Sequence, residues 1–489
     1  MTPASATAAS PIIDEATQAR NRRAISVLLV ATFVVILNET IMSVAIPRLM
    51  ISFRIAADTA QWVSTAFMLA MAVLIPITGF LLQRCSTRTV FIMAMGLFSS
   101  GTLIAALAPG FTILVAGRIV QACGTAIMMP LLMTTIMTVV PEASRGRTMG
   151  NISIVIAVAP AIGPSISGLI LRLLEWRWMF VFVLPIAVAS LVIGAVRIPN
   201  VTVPRRIPID VTSVVLTIPA FGGLVYALSN FGAASNNQSI QWISLGVGVV
   251  ALLCFVLRQL SLQRTERALL DLRTFASRDF TIAICAMAIC MMTLFGALIL
   301  LPIYMQNVIH LDTLSTGLLL APGALLMGLL APWVGRLYDR NGPTALLATG
   351  AVIVSAALWG MSRLGAGSPA WTVLMAHVPL CVGLALLFTP LFTAGLSAIK
   401  PGLYSHGSAI IGTVQQFAGA AGTALFVSVM TSRAVPLLAR GAAAASATGS
   451  GIQAAFMFGA IISMLAIPAV FFVRRPRTAA QSRTFNVAT

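Results

Sequence analysis

Apolar residues run along this chain in stretches of about twenty, separated by short polar or Gly- and Pro-containing breaks. A run of that length is what a helix rising about 1.5 Å per residue needs to cross about 30 Å of hydrocarbon. Marking these runs predicts fourteen helices, at approximately 24–47, 61–82, 89–108, 111–138, 149–171, 178–196, 211–229, 241–260, 281–304, 315–335, 344–362, 370–394, 407–431 and 453–473. Residues 1–23 are polar, and the apolar segment after them is too long for the core of a signal peptide, so it reads as a retained first span. An even number of spans puts both tails on one side.

Composition agrees with this pattern. Of 489 residues, 59% are hydrophobic and 9% charged, against roughly 45–50% and 25% in soluble domains. The net charge of +18 would suit a nucleic acid, but its placement points elsewhere. With the tails inside, 22 of the thirty Lys and Arg residues fall on the tail side and seven on the other, leaving Arg118 within a span. This is the positive-inside asymmetry. It predicts a multi-pass membrane protein with both termini cytoplasmic, its basic residues meeting anionic headgroups rather than nucleic acid.

Two stretches look alike: GFLLQRCSTRTVFI at 79–92, after the second predicted helix, and GRLYDRNGPTALLA at 335–348, after the tenth. Their spacing matches that between the first and ninth helices. The predicted plan is an N-terminal tail at 1–23, a six-helix bundle at 24–200, two extra helices at 201–265, a second six-helix bundle at 266–475, and a C-terminal tail at 476–489. Two parallel halves with a path between them are a transporter arrangement. The extra pair is expected to pack at the periphery.

Twelve carboxylates allow a full census. Eleven fall in the N-terminal tail, in loops or at helix ends, and only Glu39 is deep in a span. It lies roughly 22 Å along the first helix at about 1.5 Å per residue. An ionisable group at mid-membrane costs at least about 2.5–3.5 kcal/mol and marks a functional site facing an interior or aqueous space. Arg118 is the one intramembrane cation, and Gln121, Ala122 and Thr125 share its helix face. Burial of Arg118 demands a partner, so Glu39 and Arg118 are expected to communicate, directly or through water.

At these residues the chain resembles the fourteen-helix drug:proton antiporters of the major facilitator superfamily, especially the lincomycin-resistance type of bacterial efflux pump. LNETIMSVAIP at 37–47 looks like the family's Leu-Asp-x-Thr-Ile-Val-Asn-Val-Ala-Leu-Pro signature, with Asn38 at the usual aspartate position and Glu39 beside it. RIVQACGTAIMMP at 118–130 is similar to the Arg-x-x-Gln-Gly-x-Gly pattern. Together they imply proton handling by Glu39 and Arg118. APAIGPSISG at 159–168 is similar to the antiporter signature through Gly163, Pro164 and Gly168, with Pro160 a further kink and Ser167 in place of a glycine. That likeness implies export rather than uptake. The loop motif that forms the inner gate keeps Gly79, Arg84 and Arg88 but has Gln83 for the family's aspartate, whereas its second copy, Gly335, Arg336, Asp339, Arg340 and Gly342, is intact. The main charge lock is therefore expected at Asp339.

The resemblance implies an all-α integral membrane protein of the major facilitator fold in a bacterial plasma membrane, working as a monomer by alternating access. Its expected partners are protons, a small amphiphilic substrate and the bilayer. Candidate cavity residues are Asn38, Thr40, Met42, Ser43, Trp62, Phe67, Gln121, Met128, Met129, Tyr304, Gln306, Gln415 and Gln416, polar or soft groups near the spans' centres. The last six spans contain no mid-membrane carboxylate, which favours neutral or singly charged amphiphiles. Export of an endogenous lipid or metabolite fits the same residues, and proton-coupled uptake fits the fold but not the Gly-Pro signature. An enzyme is not expected: the three histidines are scattered, and no nucleophile or acid cluster accompanies them. No cofactor or metal is called for, and no GxxxxGK[ST] loop provides for ATP. The six cysteines lack metal-ligand spacing and read as packing residues.

Overall fold

The computed structural model describes residues 15–473 apart from 202, 203, 206, 207, 230–237 and 366. Residues 1–14 of the predicted 1–23 tail, residues 474–475 and the whole predicted 476–489 tail lie outside the described residues, as do the side chains of Ser43 and Pro164.

Fourteen helices account for the fourteen predicted runs. They are α1 (Glu15–Phe53), α2 (Ala57–Arg84), α3 (Thr87–Ala106), α4 (Phe111–Val139), α5 (Arg145–Leu173), α6 (Trp178–Arg197) and α7 (Val211–Ser229). Then follow α8 (Gln238–Leu262), α9 (Arg278–Asn307), α10 (Thr313–Asn341), α11 (Thr344–Met361), α12 (Ala370–Ser397), α13 (Tyr404–Ala439) and α14 (Ala444–Val470). Among the described residues, thirteen of these contain stretches long and apolar enough to cross a membrane. The remaining one, α5, is a 29-residue helix. Helix α1 starts at Glu15, nine residues before the predicted span.

Local chemistry sets several boundaries. Ser86, Asp210 and Ser277 cap α3, α7 and α9 by accepting the backbone N–H of Thr89, Ser213 and Phe280, which satisfies donors that a helix start leaves unpaired. Gly342, at φ +81°, makes the turn between α10 and α11 in a conformation that only glycine adopts without strain. In α7 the turn Ile218–Gly222, with Pro219 near its start, is wound as a π-helix, the kind of bulge that accommodates a missing backbone donor.

Helices α1 to α6 pack as one bundle and α9 to α14 as a second. The bundles meet along two seams related by the internal repeat, α5 against α10 and α2 against α13, flanked by α4–α13 and α5–α12 contacts. The starts of α1 and α13 and the ends of α2, α10 and α14 share one side of the molecule, here termed the tail side. The extra pair α7 and α8 is not remote from the bundles. It covers the α2–α13 seam, with Trp62 of α2 stacked on Tyr226 of α7 at 6.2 Å and Phe221 of α7 edge-on to Phe417 of α13 at 5.6 Å.

Candidate functional site: a buried arginine beside an accessible acid

The α1 backbone places three successive side chains on three faces. Asn38 is buried against α4, Thr40 turns towards α5, and Glu39 lies between them around the helix and remains partly accessible. Thr40 donates to the Leu37 carbonyl at 2.9 Å, which folds it back along α1. Opposite it stands Gly163, where any Cβ would collide with the Thr40 hydroxyl, so the antiporter-like stretch of α5 uses its glycine for close helix approach. Ser167, one turn further, is buried and donates to the Ile41 carbonyl at 2.9 Å. Pro160 lies within α5, and Gly168 faces open space.

Arg118 is 1% exposed in α4, and every group around it restrains it. Its Nη1 donates to Asn38 Oδ1 at 2.9 Å and to Gln121 Oε1 at 2.6 Å. Gln121 in turn donates to Thr102 Oγ1 at 2.7 Å, which ties the pair to α3. The guanidinium also stands 4.1 Å from the Phe67 ring centroid, a cation–π contact strengthened by its burial. Its Nε has no hydrogen-bond partner among the described residues. Glu39 and Arg118 interact through their charges, but no ion pair within 4 Å joins them among the described residues. Asn38, at the position where the family usually has an aspartate, supplies the direct contact instead. The acid therefore stays near the cation without being locked to it.

The other cavity candidates divide into groups. Gln415 and Gln416 of α13 are part-buried, and Gln416 Nε2 approaches the Met71 sulfur of α2 at 3.9 Å, a contact between bundles. Met42 and Met128 are 1% exposed core residues, and Met129 packs partly buried against the same core. Tyr304 is buried, with its hydroxyl donating to the Gly365 carbonyl at 2.7 Å, and so holds α9 to the loop after α11. Gln306 is exposed near the end of α9. Trp62 belongs to the α2–α7 contact. Tyr304 and Gln306 lie near the end of α9 and Trp62 near the start of α2.

On the tail side, polar contacts cross between the bundles. Asp339 of α10 accepts the N–H groups of Gly146 and Arg147, both at 2.8 Å, capping the start of α5 from the opposite bundle. A carboxylate at a helix N-terminus gains from the dipole as well as from the hydrogen bonds. Beside it, Gly335 faces the Gly146 carbonyl so closely that no Cβ fits. Arg336 lies 5.0 Å from the Trp333 ring, and Arg336 and Arg340 are exposed. In the other seam Gln83 donates to the Gly402 carbonyl at 3.1 Å, while Gly79 packs on His406. Arg84 and Arg88 are exposed, the former 5.9 Å from the Phe80 ring. Two hydroxyl pairs complete the closure, Ser153 with Thr389 at 2.9 Å and Thr134 with Ser408 at 3.2 Å. A cavity of about 10 Å³ lies beside the first pair, lined by Ser153, Met291, Met327 and Phe388 among others, room for one water at most.

Outside the spans, two carboxylates lie well below the usual range. Asp210 is held down by hydrogen bonds from Arg258, whose Nε and Nη2 reach its two oxygens at 2.7 and 2.6 Å. Burial pushes Asp271 up, but hydrogen bonds from Arg273 outweigh it and hold the acid down. Gln83, Thr102 and Gln259 were missed as contact residues. For Gln83 the signal was available, since a long amide donor replaces an acid at a repeated position.

Comparison with known proteins places this geometry. The model of the Major Facilitator Superfamily matches residues 28–423. A protein named lincomycin resistance protein LmrB of Listeria monocytogenes is 39% identical over 95% of this chain and 99% of its own length. The uncharacterized MFS-type transporter YcnB of Bacillus subtilis is 38% identical over 94% and 96%. In fold, the proton:xylose symporter XylE superposes with a TM-score of 0.63 at 14% identity, covering 93% of this chain and 96% of that one. With the two-bundle architecture and the matched helices together, the chain belongs to the Major Facilitator Superfamily and is a multi-pass membrane transporter rather than an enzyme.

Proposed function

We propose that this transporter is a proton-coupled antiporter that exports amphiphilic small molecules from a bacterial cell by alternating access, with the tail side cytoplasmic. One observation carries the reading: Glu39, the only deep carboxylate among the described residues of the spans, stays partly accessible beside an arginine whose other contacts are already fixed by Asn38 and Gln121. An acid so placed takes up a proton when the cavity opens outward, which neutralises the carboxylate and permits inward opening. On the way back the restrained Arg118 favours the charged form and releases the proton to the cytoplasm. Asn38 orients the arginine, Thr40 and the Gly163 contact hold α1 against α5, and substrate occupies the space between the bundles near Gln415 and Gln416.

Export rather than uptake is supported by the antiporter-like stretch of α5 and by relatives named for lincomycin resistance, not by the fold, which a proton symporter shares. The test is expression in an efflux-deficient bacterium against a panel of amphiphilic antibiotics including lincomycin. Wild type is expected to lower susceptibility to at least one compound, and Glu39→Gln to restore it at equal membrane abundance. Protection that persists in the Glu39→Gln strain removes the acid from the mechanism.

A further inference from the structure

The two seams close the tail side by different means. At α5–α10 the lock is direct, with the Asp339 carboxylate on two backbone N–H groups of the facing helix and two glycines in contact beneath it. The equivalent position in α2 is Gln83, whose single hydrogen bond to the Gly402 carbonyl is exposed. At the height where the first seam has Gly146 against Gly335, the second has the His406 side chain against Gly79, its Nδ1 3.1 Å from where a Cβ of residue 79 would stand.

His406 is 3% exposed, and it touches more than α2. Its ring interacts with the Leu269 backbone and with the charge of Asp271, both in the segment between α8 and α9. That segment is anchored to the extra pair. Gln259 of α8 accepts the N–H groups of Leu269 and Leu270 at 2.8 and 3.2 Å and donates to Ser213 of α7 at 2.8 Å. Ser213 donates to Asp210, which holds Arg258 of α8. Gln259, Ser213 and Asp271 are all buried. A continuous polar chain thus runs from the α7–α8 pair to the His406 side chain that packs on Gly79 in the α2–α13 seam. His406 Nδ1 has no hydrogen-bond partner among the described residues, but the Gln259 and Ser213 contacts are made, and buried networks of this kind fix one arrangement of the elements they join.

We propose that the α7–α8 pair supplies the lock that the α2–α13 seam lacks, acting through Gln259, the 267–272 segment and His406 as a positioning residue. The extra helices then belong to the gating machinery. When the tail side opens, α13 carries His406 away from Gly79 and strains the link to Leu269. This inference rests on the alternating-access reading, but its test needs neither substrate nor proton movement.

The native Cys85, at the end of α2 on the tail side, is partly exposed and reports on this seam. Its alkylation by a membrane-impermeant maleimide, applied to the tail side in reconstituted vesicles and read by peptide mass spectrometry, measures opening. His406→Ala and Gln259→Leu are each expected to raise the rate about five- to tenfold, and the double variant to match the larger single effect, because both cut one link. His406→Gln, which keeps a ring-length donor, is expected to stay within about twofold of wild type, a rescue that loss of packing alone would not give. Monodisperse His406→Ala protein alkylated at the wild-type rate overturns the proposal, as does a double variant whose rate is the product of the two single effects.

Discussion

The α5–α10 and α2–α13 seams occupy equivalent places in a repeated architecture, yet one is locked by a charge and the other by a histidine and a pair of added helices. Backbone contact explains much of the contrast. Where Gly146 and Gly335 meet, there is no space for a side chain, so the carboxylate of Asp339 reaches backbone donors directly. Where Gly79 meets His406, the helices stand further apart, and a longer amide and an imidazole fill the gap. A charged lock is stronger per contact, since hydrogen bonds to ionised groups contribute about 1.5–3 kcal/mol against about 0.5–1.5 for neutral ones.

The largest effect that separates the seams is expected from adding one methyl group to each. A Cβ at Gly335 would collide with the Gly146 carbonyl oxygen, whereas one at Gly79 would meet His406 Nδ1, His406 Cα and Ala409 Cβ at 3.1, 3.2 and 3.3 Å, tight contacts that a shift of a few tenths of an ångström relieves. Gly335→Ala should lower stability of the closed form by about 2–3 kcal/mol and Gly79→Ala by about 1 or less, the range for overpacking a tight site against a tolerant one. Thermal unfolding in detergent reads the difference, and equal shifts would remove the contrast. Asp339→Asn comes next. One acceptor oxygen and the charge are lost, for about 1–2 kcal/mol; transport should fall several-fold while substrate affinity, measured separately, is retained.

Gln83→Asp sharpens the comparison from the other side. It restores the family's acid, but an aspartate has no proton for the Gly402 carbonyl, so the seam should loosen slightly, by about 0.5–1.5 kcal/mol at most given its exposure. A variant with a tighter seam would show that the charge, not the local fit, is what matters. The smallest effect is expected from pH acting on the Asp210–Arg258 pair. Because the folded-state pKa of Asp210 is depressed, its contribution is fully present above the unfolded value of about 3.9 and is lost only as pH falls below it. Between pH 5 and 8 the anchoring of α7 to α8 should be constant, checked by hydrogen exchange of the Leu269 and Leu270 amides.

Much of the fold was legible because length and apolarity dictate membrane spans with little help from tertiary context. All fourteen predicted runs are helices. The position of Glu39 and Arg118 was legible for the same reason, since charges are too costly in a span to be incidental. Their pairing was not. Residues 38 and 39 differ by about 100° around α1, and only the packed structure shows that the amide, not the acid, meets the guanidinium. Nor could composition place α7 and α8, whose apolar faces suit lipid and a seam equally well. The contacts of Tyr304 and Trp62 were not legible either, because their partners, Gly365 and Tyr226, lie far along the chain.

The measurement closest to the central claim is proton movement driven by substrate. In vesicles carrying the purified transporter and a pH-sensitive dye, addition of a transported compound should move protons against it in wild type. In Glu39→Gln, substrate should still bind but move no protons, at any imposed gradient. Substrate-driven proton flux that survives in Glu39→Gln would contradict the assignment of the proton to this acid.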